Sequence, residues 1–260
     1  YILKMSIKLS IKKSYNEKIV KNYVFFTNED FKIEAIDKSA VSKFSVQINK
    51  TVNSSELKKK EFLSFNLNPS QKIILIKIKK NQTSLENEKI GAKFFNYIKS
   101  NSLYKTSFFE QNIYQIKSNS KYFFDEFILG MKLKSYVFDK YKTKKNNRSL
   151  MLHLFVRKNQ INFNKKKRFL SLIEGSNFTK DLVSEPGNVL HPDEYAQRLK
   201  RLSRFGLKVT VYDQKKLKKM GMNALLGVGQ GSVRGSYLVT IEWKGTKSKS
   251  KPLGFVGKGV

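Results

Sequence analysis

The stretch KIILIKIKK (residues 72–80), followed after the polar residues NQTS by LENEKIGAKFFNYIKS (85–100), decides the fold class. The first segment is a short run of mostly β-branched apolar residues, which is typical of a buried strand. The second has the period of an amphipathic helix, with Ser84 as the expected N-cap and an apolar face formed by Ile90, Phe94, Phe95 and Ile98. A strand, a loop and a helix in succession favour an α/β fold over an all-β sandwich.

The rest of the first half extends this pattern. Apolar residues that alternate with lysine and serine predict one strand, and β-branched or aromatic runs predict two more. Residues 27–70 are less clear: 40–50 are compatible with a helix or a strand, and 51–70 contain one short strand. The further predicted elements are strands at 7–11, 19–26 and 149–156 and a helix at about 120–140.

A polar, lysine-rich segment near residue 160 suggests a change of domain. We therefore predict two domains, residues 1–160 and residues 161–260. In the second, HPDEYAQRLKRLSRFG (191–206) is a well-delimited helix, with Pro192 in its first turn and Gly206 just past its end. The other predicted elements are helices at 168–186 and 214–226, a loop at 227–232 and strands at 207–213, 236–243 and 252–258.

The net charge of +32 is the most unusual property of the composition. Such a charge favours a nucleic acid or an anionic membrane surface as a partner. However, only seven of the 52 basic residues are Arg, and the lysines are spread along the chain beside many Asn, Ile, Phe and Tyr residues. An A+T-rich coding sequence would produce the same enrichment without any partner, so both interpretations remain open.

Cysteine usage and hydropathy limit the class of protein further. The sequence has no Cys, which excludes disulfides and thiolate metal sites. No apolar run approaches the ~20 residues that span a bilayer, so no membrane association is predicted. The start, YILKMSIKLSIKK, lacks the features of a secretory signal, and Met5 is the expected natural initiator.

Two glycine-rich segments are candidates for phosphate loops. GVGQGS (227–232) follows a predicted helix and precedes a strand, the reverse of the dinucleotide-binding order, so it is interpreted as a tight connection. GFVGKGV (254–260) lacks the first Gly and the final Ser or Thr of a P-loop. The histidines, His153 and His191, have no acidic cluster nearby in sequence, and no G-x-S-x-G motif supports serine catalysis. We interpret both histidines as structural.

Taken in order, several segments resemble the leucyl aminopeptidase family of two-metal cytosolic exopeptidases. The co-linear similarity covers roughly residues 120–260, and before residue 120 only the pattern of strands and helices agrees. The segments are FILGMKLKSYVFDKYKTKK (127–145), TKDLVSEPGNVLHPDEYA (179–196), GLKVTVYDQKKLKKMGMNALLGVGQGS (206–232), YLVTIEWKG (237–245) and KPLGFVGKGV (251–260).

This resemblance implies a macro-like three-layer α/β N-terminal domain, a linker helix at about 166–185, and the start of an α/β/α metallo-exopeptidase domain. It also implies that Lys258, in the family's V-G-K-G motif, is a metal ligand. A lysine amine binds a metal only when it is neutral, a form that burial and a nearby dication favour. The family's other ligands and catalytic groups are not found here, so we expect an inactive N-terminal fragment with no catalytic residue of its own.

For the whole protein, the resemblance implies a cytoplasmic homohexamer that removes N-terminal amino acids, often leucine, from peptides. Two divalent metal ions, Mn or Zn, would polarise the scissile carbonyl and activate water. The alternative hypothesis is a basic α/β module that binds nucleic acid or nucleotide through residues 5–160. It rests on the charge and on the macro-like resemblance, but no ladder of alternating aromatic and basic residues supports it.

Overall fold

The computed structural model describes residues 7–14, 20–33, 59–116, 118–144, 149–156, 166–245 and 251–259. The chain divides into two compact units, Tyr1–Asn177 and Phe178–Val260. The division falls within the helix that the family resemblance assigned to the linker. The predicted domain boundary at residue 160 stays a prediction, and the proposed start at Met5 and the ambiguous segment 40–50 lie outside the described residues.

A six-stranded sheet forms the centre of the first unit, in the order β1-β6-β5-β2-β4-β3. All neighbouring strands are parallel except β3, which pairs antiparallel with β4. Helices flank this mostly parallel sheet, which confirms the α/β class. The strands are β1 Ile7–Lys12, β2 Asn22–Thr27, β3 Phe62–Asn68, β4 Gln71–Lys77, β5 Lys105–Phe109 and β6 Leu150–Phe155.

Among the described residues, four helices belong mainly to this unit: α1 Ser84–Ser100, α2 Glu110–Tyr114, α3 Phe123–Lys134 and α4 Lys166–Ser184. The alternation of side chains along the strands separates two apolar clusters on opposite faces of the sheet. One cluster holds Phe26 and Ile74 together with the apolar faces of α1 and α3. The other holds Phe25 and Leu75, the strand neighbours of those residues.

Helices α1 and α3 contact each other through glycines. A Cβ atom built on Gly91 would meet the carbonyl oxygen of Phe127, and one built on Gly130 would meet the carbonyl oxygen of Glu88. Each of these distances, from the added Cβ atom to the carbonyl oxygen, would be well under 3.0 Å. Real Cβ atoms essentially never approach another atom so closely. The two backbones therefore approach closely because neither glycine has a side chain.

The end of β2 is completed by a side chain. The buried Asn112, in α2, accepts a hydrogen bond from the Phe26 N–H (2.7 Å) and donates one to the Phe26 carbonyl oxygen (2.9 Å). Its amide thus replaces the neighbouring strand where β5 ends and α2 begins. This pairing satisfies two backbone groups in the core that would be costly to leave unpaired.

The second unit contains shorter elements. Helix α5, Pro192–Lys200, continues as a 3-10 helix, Arg201–Phe205, which ends at Gly206 with φ of 84°. Strands β7 Lys208–Tyr212 and β8 Leu238–Glu242 form a two-stranded antiparallel sheet. The remaining elements are the helices α6 Gln214–Lys219 and α7 Asn223–Gly229.

Several local predictions differ from the structure. Thr83 rather than Ser84 caps α1, because its hydroxyl accepts the Glu86 N–H while the Glu86 carboxylate accepts the Thr83 N–H. The predicted helix 120–140 is shorter, and the predicted helix 214–226 is two helices separated by Gly221, with φ of 71°. Residues 252–258 were predicted as a strand, but no described strand pairs with them and their side chains are exposed.

Candidate metal-ligand segment

Lys258 is the single metal-ligating residue that the sequence predicts. It lies in the second unit, in a segment (251–259) that is neither helix nor strand. Its side chain is exposed, and so are those of the other residues of the segment. The Lys258 amine is therefore accessible to a metal ion.

The backbone beside Lys258 is fitted against helix α5. A Cβ atom built on Gly259 would lie 3.0 Å from Cδ1 of the Tyr195 ring and closer still to Cε1. Any larger residue at 259 would have to displace this ring or the backbone. The glycine after Lys258 is thus explained by its close approach to an aromatic ring of α5.

Helix α5 is itself held by an ion-pair network. The Arg198 guanidinium donates from Nε to the Glu194 carboxylate at 2.8 Å and from Nη1 to the Glu185 carboxylate at 2.9 Å. The Glu185 side chain is only 2% exposed, so this pair connects α5 firmly to the residues that precede it. At the N-terminal end of α5, Pro192 occupies the first turn, as predicted.

A second polar cluster joins the start of α5 to the residue before β8. The Tyr237 hydroxyl donates to the Asp193 carboxylate at 2.7 Å, and His191 Nδ1 and Arg234 Nη1 lie 3.1 and 3.6 Å from its other oxygen. The hydrogen bond from Tyr237 is the main cause that holds the pKa of Asp193 below its ordinary value, and the charge of Arg234 adds to it, although partial burial opposes this. The same hydrogen bond raises the pKa of Tyr237.

The glycine-rich segment GVGQGS does not form a phosphate cradle. Its first three residues, Gly227–Gly229, belong to the C-terminal turn of α7 rather than to a loop. The C-terminal end of a helix carries partial negative charge and disfavours an anion. Rejection of the dinucleotide motif is thus consistent with the fold, while the prediction that all six residues form a loop is wrong.

Both histidines occupy structural positions in the described residues. His191 is the N-cap of α5 and accepts a hydrogen bond at Nδ1 from the Glu194 N–H. His153 lies in β6, where burial, followed by the charges of Lys12 and Lys105, lowers its pKa.

The described residues do not by themselves fit a pair of metal ions. A two-metal site needs several carboxylates to hold its cations about 3.5 to 4 Å apart. Within the part of the chain that the structure describes, no group of three or more His, Asp and Glu side chains could hold a metal ion. Lys258 is one exposed amine, and a single amine cannot supply such a donor set.

Solved structures share this fold. A tomato leucine aminopeptidase mutant superposes with a TM-score of 0.71 at 17% identity, covering 95% of this chain and 52% of that one. The bottromycin maturation enzyme BotP, solved in complex with Mn, superposes with a TM-score of 0.60 at 14% identity, covering 86% of this chain and 45% of that one. These likenesses establish the fold class, which is the α/β fold of leucine aminopeptidases.

Sequence comparison adds the family. Residues 177–260 match the catalytic-domain model of the cytosol aminopeptidase family. A probable cytosol aminopeptidase of Phytoplasma mali is 45% identical over 141 residues, and one of Brucella anthropi is 46% identical over 139 residues. Residues 177–260 are therefore similar to the catalytic domain of the cytosol aminopeptidase family, which confirms the resemblance drawn from the sequence.

The sequence matches cover part of this chain and part of each relative. The alignments include 52% and 51% of this chain, and the chain spans 28% of the length of each curated relative. These relatives do not favour the alternative hypothesis of a nucleic-acid-binding module. In the residues that the structure describes, no helix is long and apolar enough to cross a membrane.

Sequence reasoning did not find the cluster around Asp193 or the contact between Tyr195 and Gly259. Both join residues that are more than 40 positions apart, such as Asp193 and Tyr237. The local signals, an acidic residue in a first helical turn and a glycine after a lysine, also occur for ordinary capping and turn reasons. Only the folded chain brings these residues together.

Proposed function

We propose that this chain serves in a metal-dependent aminopeptidase that releases N-terminal amino acids, often leucine, from peptides. The observation that carries the proposal is the match of residues 177–260 to the catalytic-domain model of the cytosol aminopeptidase family. The curated relatives carry the same activity in their names, and the fold agrees with it. The chain spans 28% of the relatives' length, so the activity is proposed for the whole protein.

In this proposal Lys258 is a ligand of one of two divalent metal ions, Mn or Zn. The exposed position of the amine and the flanking glycines are compatible with that role. The carboxylate ligands would come from chain outside the described residues, since those residues hold no metal-binding group of three or more. The neighbour solved with Mn supports a metal of this kind without identifying it.

The described residues have a positioning role in this proposal. Tyr195 supports the backbone at Gly259, and the Arg198 network holds α5, which carries Tyr195. A lysine on a flexible stem needs a fixed backbone if its amine is to reach one coordination position. The chain's own contribution is therefore to orient the Lys258 amine.

Two further properties of the whole protein belong to this proposal. A cytoplasmic location is supported by the names of the curated relatives. A homohexameric assembly is expected from the family resemblance. Size-exclusion chromatography with light scattering tests the assembly, and a mass other than that of a hexamer would contradict it.

The activity is tested with the complete gene product that contains these residues. The protein is stripped with EDTA, supplied with Mn or Zn, and incubated with leucine p-nitroanilide. We expect metal-dependent release of nitroaniline, and no release from the N-acetylated substrate, because an aminopeptidase requires the free amine. Absence of metal-dependent release with both metals would contradict the proposed function.

A further inference from the structure

The first unit contains a cavity that the aminopeptidase proposal does not use. Its volume is about 300 Å³, within the range of sites for small molecules. It opens where β2 and β4 end, and the carboxyl ends of parallel strands are the usual position of ligands in open α/β sheets. Its apolar surface is provided by Phe26, Ile78 and Ile116.

The rim of the cavity carries opposite charges on two separate loops. Glu29 and Asp30 follow β2, and Lys79 and Lys80 follow β4. All four side chains are exposed, and their formal charges cancel. A polyphosphate would meet two carboxylates as well as two ammonium groups, and so it gains little net attraction here. A ligand with one positive and one negative group matches both loops.

The acidic loop is formed in advance of any ligand. The Asn28 side-chain oxygen accepts hydrogen bonds from the backbone N–H groups of Asp30 (3.0 Å) and Lys32 (2.9 Å). Phe31 has a φ of 58°, and its ring is buried with the Lys77 ammonium 4.6 Å from the ring centroid. A loop fixed in this way loses little conformational entropy on binding.

The third wall contributes amide groups. Asn112 is buried and pairs with the Phe26 backbone through both of its side-chain polar atoms. Gln115 also lines the cavity, and its buried side-chain oxygen accepts no hydrogen bond from the described residues. A rotation of this amide would offer a hydrogen-bond acceptor to an ammonium group in the cavity.

We propose that this cavity binds a free amino acid with an apolar side chain. The ammonium group faces Glu29 and Asp30, the carboxylate faces Lys79 and Lys80, and the side chain lies on the apolar surface. The proposal depends on the cavity alone and not on the proposed aminopeptidase activity. A nucleotide is the competing ligand that the experiment must distinguish.

The test is isothermal titration calorimetry with the complete protein in EDTA, which removes binding that depends on divalent metals. L-leucine is titrated beside leucinamide, which lacks the carboxylate, 4-methylpentanoate, which lacks the amine, and ADP. We expect saturable binding of leucine. Leucinamide and 4-methylpentanoate should each bind at least ~10-fold more weakly, because each lacks one charged group and its charge-assisted hydrogen bonds. ADP should also bind at least ~10-fold more weakly, because the mixed charges of the rim give its phosphates little net attraction.

Charge-neutralising variants locate the site. The double variants Glu29→Gln with Asp30→Asn, and Lys79→Gln with Lys80→Gln, should each weaken leucine binding at least ~10-fold. The control Lys99→Gln changes an exposed lysine in the last turn of α1 and should leave the affinity unchanged. The altered residues are exposed, and unchanged thermal unfolding confirms that the variants fold.

Three outcomes would overturn the proposal. The first is no leucine binding at millimolar concentration, and the second is leucine binding that neither double variant weakens. The third is tighter binding of ADP than of leucine. A protein that shows any of these results and still hydrolyses leucine p-nitroanilide would disprove the amino-acid site and leave the proposed function intact.

Discussion

The contact between α1 and α3 yields a quantitative prediction about Gly91. In the substitution Gly91→Ala, the added methyl group would overlap the carbonyl oxygen of Phe127, a backbone atom in a second packed helix. Phe127 and its neighbour Phe94 are fully buried, so the helix cannot move locally without disturbing the core. Overpacking of a core costs about 1 to 3 kcal/mol, and here a backbone atom must move.

An opposing effect is included in this magnitude. Alanine is more favourable than glycine within a helix by about 1 kcal/mol. Because a backbone atom must move, we place the overlap at the upper end of that range, about 3 kcal/mol, and after the gain of about 1 kcal/mol Gly91→Ala should lower the free energy of unfolding by about 2 kcal/mol. The matched control is Gly175→Ala in α4, where no atom of the described residues lies within 4 Å of the added Cβ. That variant should gain about 1 kcal/mol.

Urea unfolding followed by far-UV circular dichroism measures both variants against the unaltered protein. The expected result is a lower midpoint for Gly91→Ala, a higher midpoint for Gly175→Ala and similar slopes for all three proteins. The reasoning would be refuted if Gly91→Ala were as stable as Gly175→Ala. Equal stability would mean that the Phe127 backbone facing Gly91 has no effect on the substitution, since Gly175 has no such neighbour.

Three further predictions concern single polar contacts. Asn112→Ala leaves the Phe26 N–H and carbonyl unpaired in the core and should cost about 2 to 4 kcal/mol in urea unfolding; a loss below 1 kcal/mol would contradict the pairing. Thr83→Ala removes the cap of α1 and should cost about 1 kcal/mol by the same measurement, against no loss if Ser84 were the cap. Tyr237→Phe removes the hydrogen bond to Asp193 and should cost about 1 kcal/mol at neutral pH. Because the folded pKa of Asp193 is lowered and that of Tyr237 is raised, this difference should shrink as the pH falls below the ordinary Asp value of 3.8 or rises above the ordinary Tyr value of 10.0. A difference that is independent of pH would exclude this hydrogen bond.

Periodicity predicted those elements in which burial repeats regularly. The strand at 72–80 and the helix at 85–100 are confirmed as β4 and α1, because the apolar residues Ile73–Ile76 of the strand and Ile90, Phe94, Phe95 and Ile98 of the helix face one of the two cores. No element was predicted between residues 101 and 119, where β5 and α2 lie. Strand β5 mixes Lys, Thr and Ser with Phe, and its pairing depends on strands distant in sequence.

The candidate site was less predictable than the fold. Composition and spacing alone treated Lys258 as a surface charge, and only the ordered resemblance over residues 120–260 indicated a metal ligand. The cavity between the acidic and basic loops has no local signature, since Glu29 and Lys79 come together only when β2 and β4 pair in register. Short-range patterns specify elements, while sites depend on long-range pairing.

The proposal that Lys258 is a metal ligand of an aminopeptidase can be tested directly by substitution. The complete gene product, the variant Lys258→Met and the control Lys244→Met, which changes another exposed lysine of the second unit, are loaded with Mn or Zn. Bound metal per chain and the rate of leucine release are then measured together. We predict that Lys258→Met loses bound metal and at least ~100-fold in rate, about 2.7 kcal/mol, while the control retains both. Full metal content and full activity in Lys258→Met would contradict the proposal that Lys258 is a metal ligand.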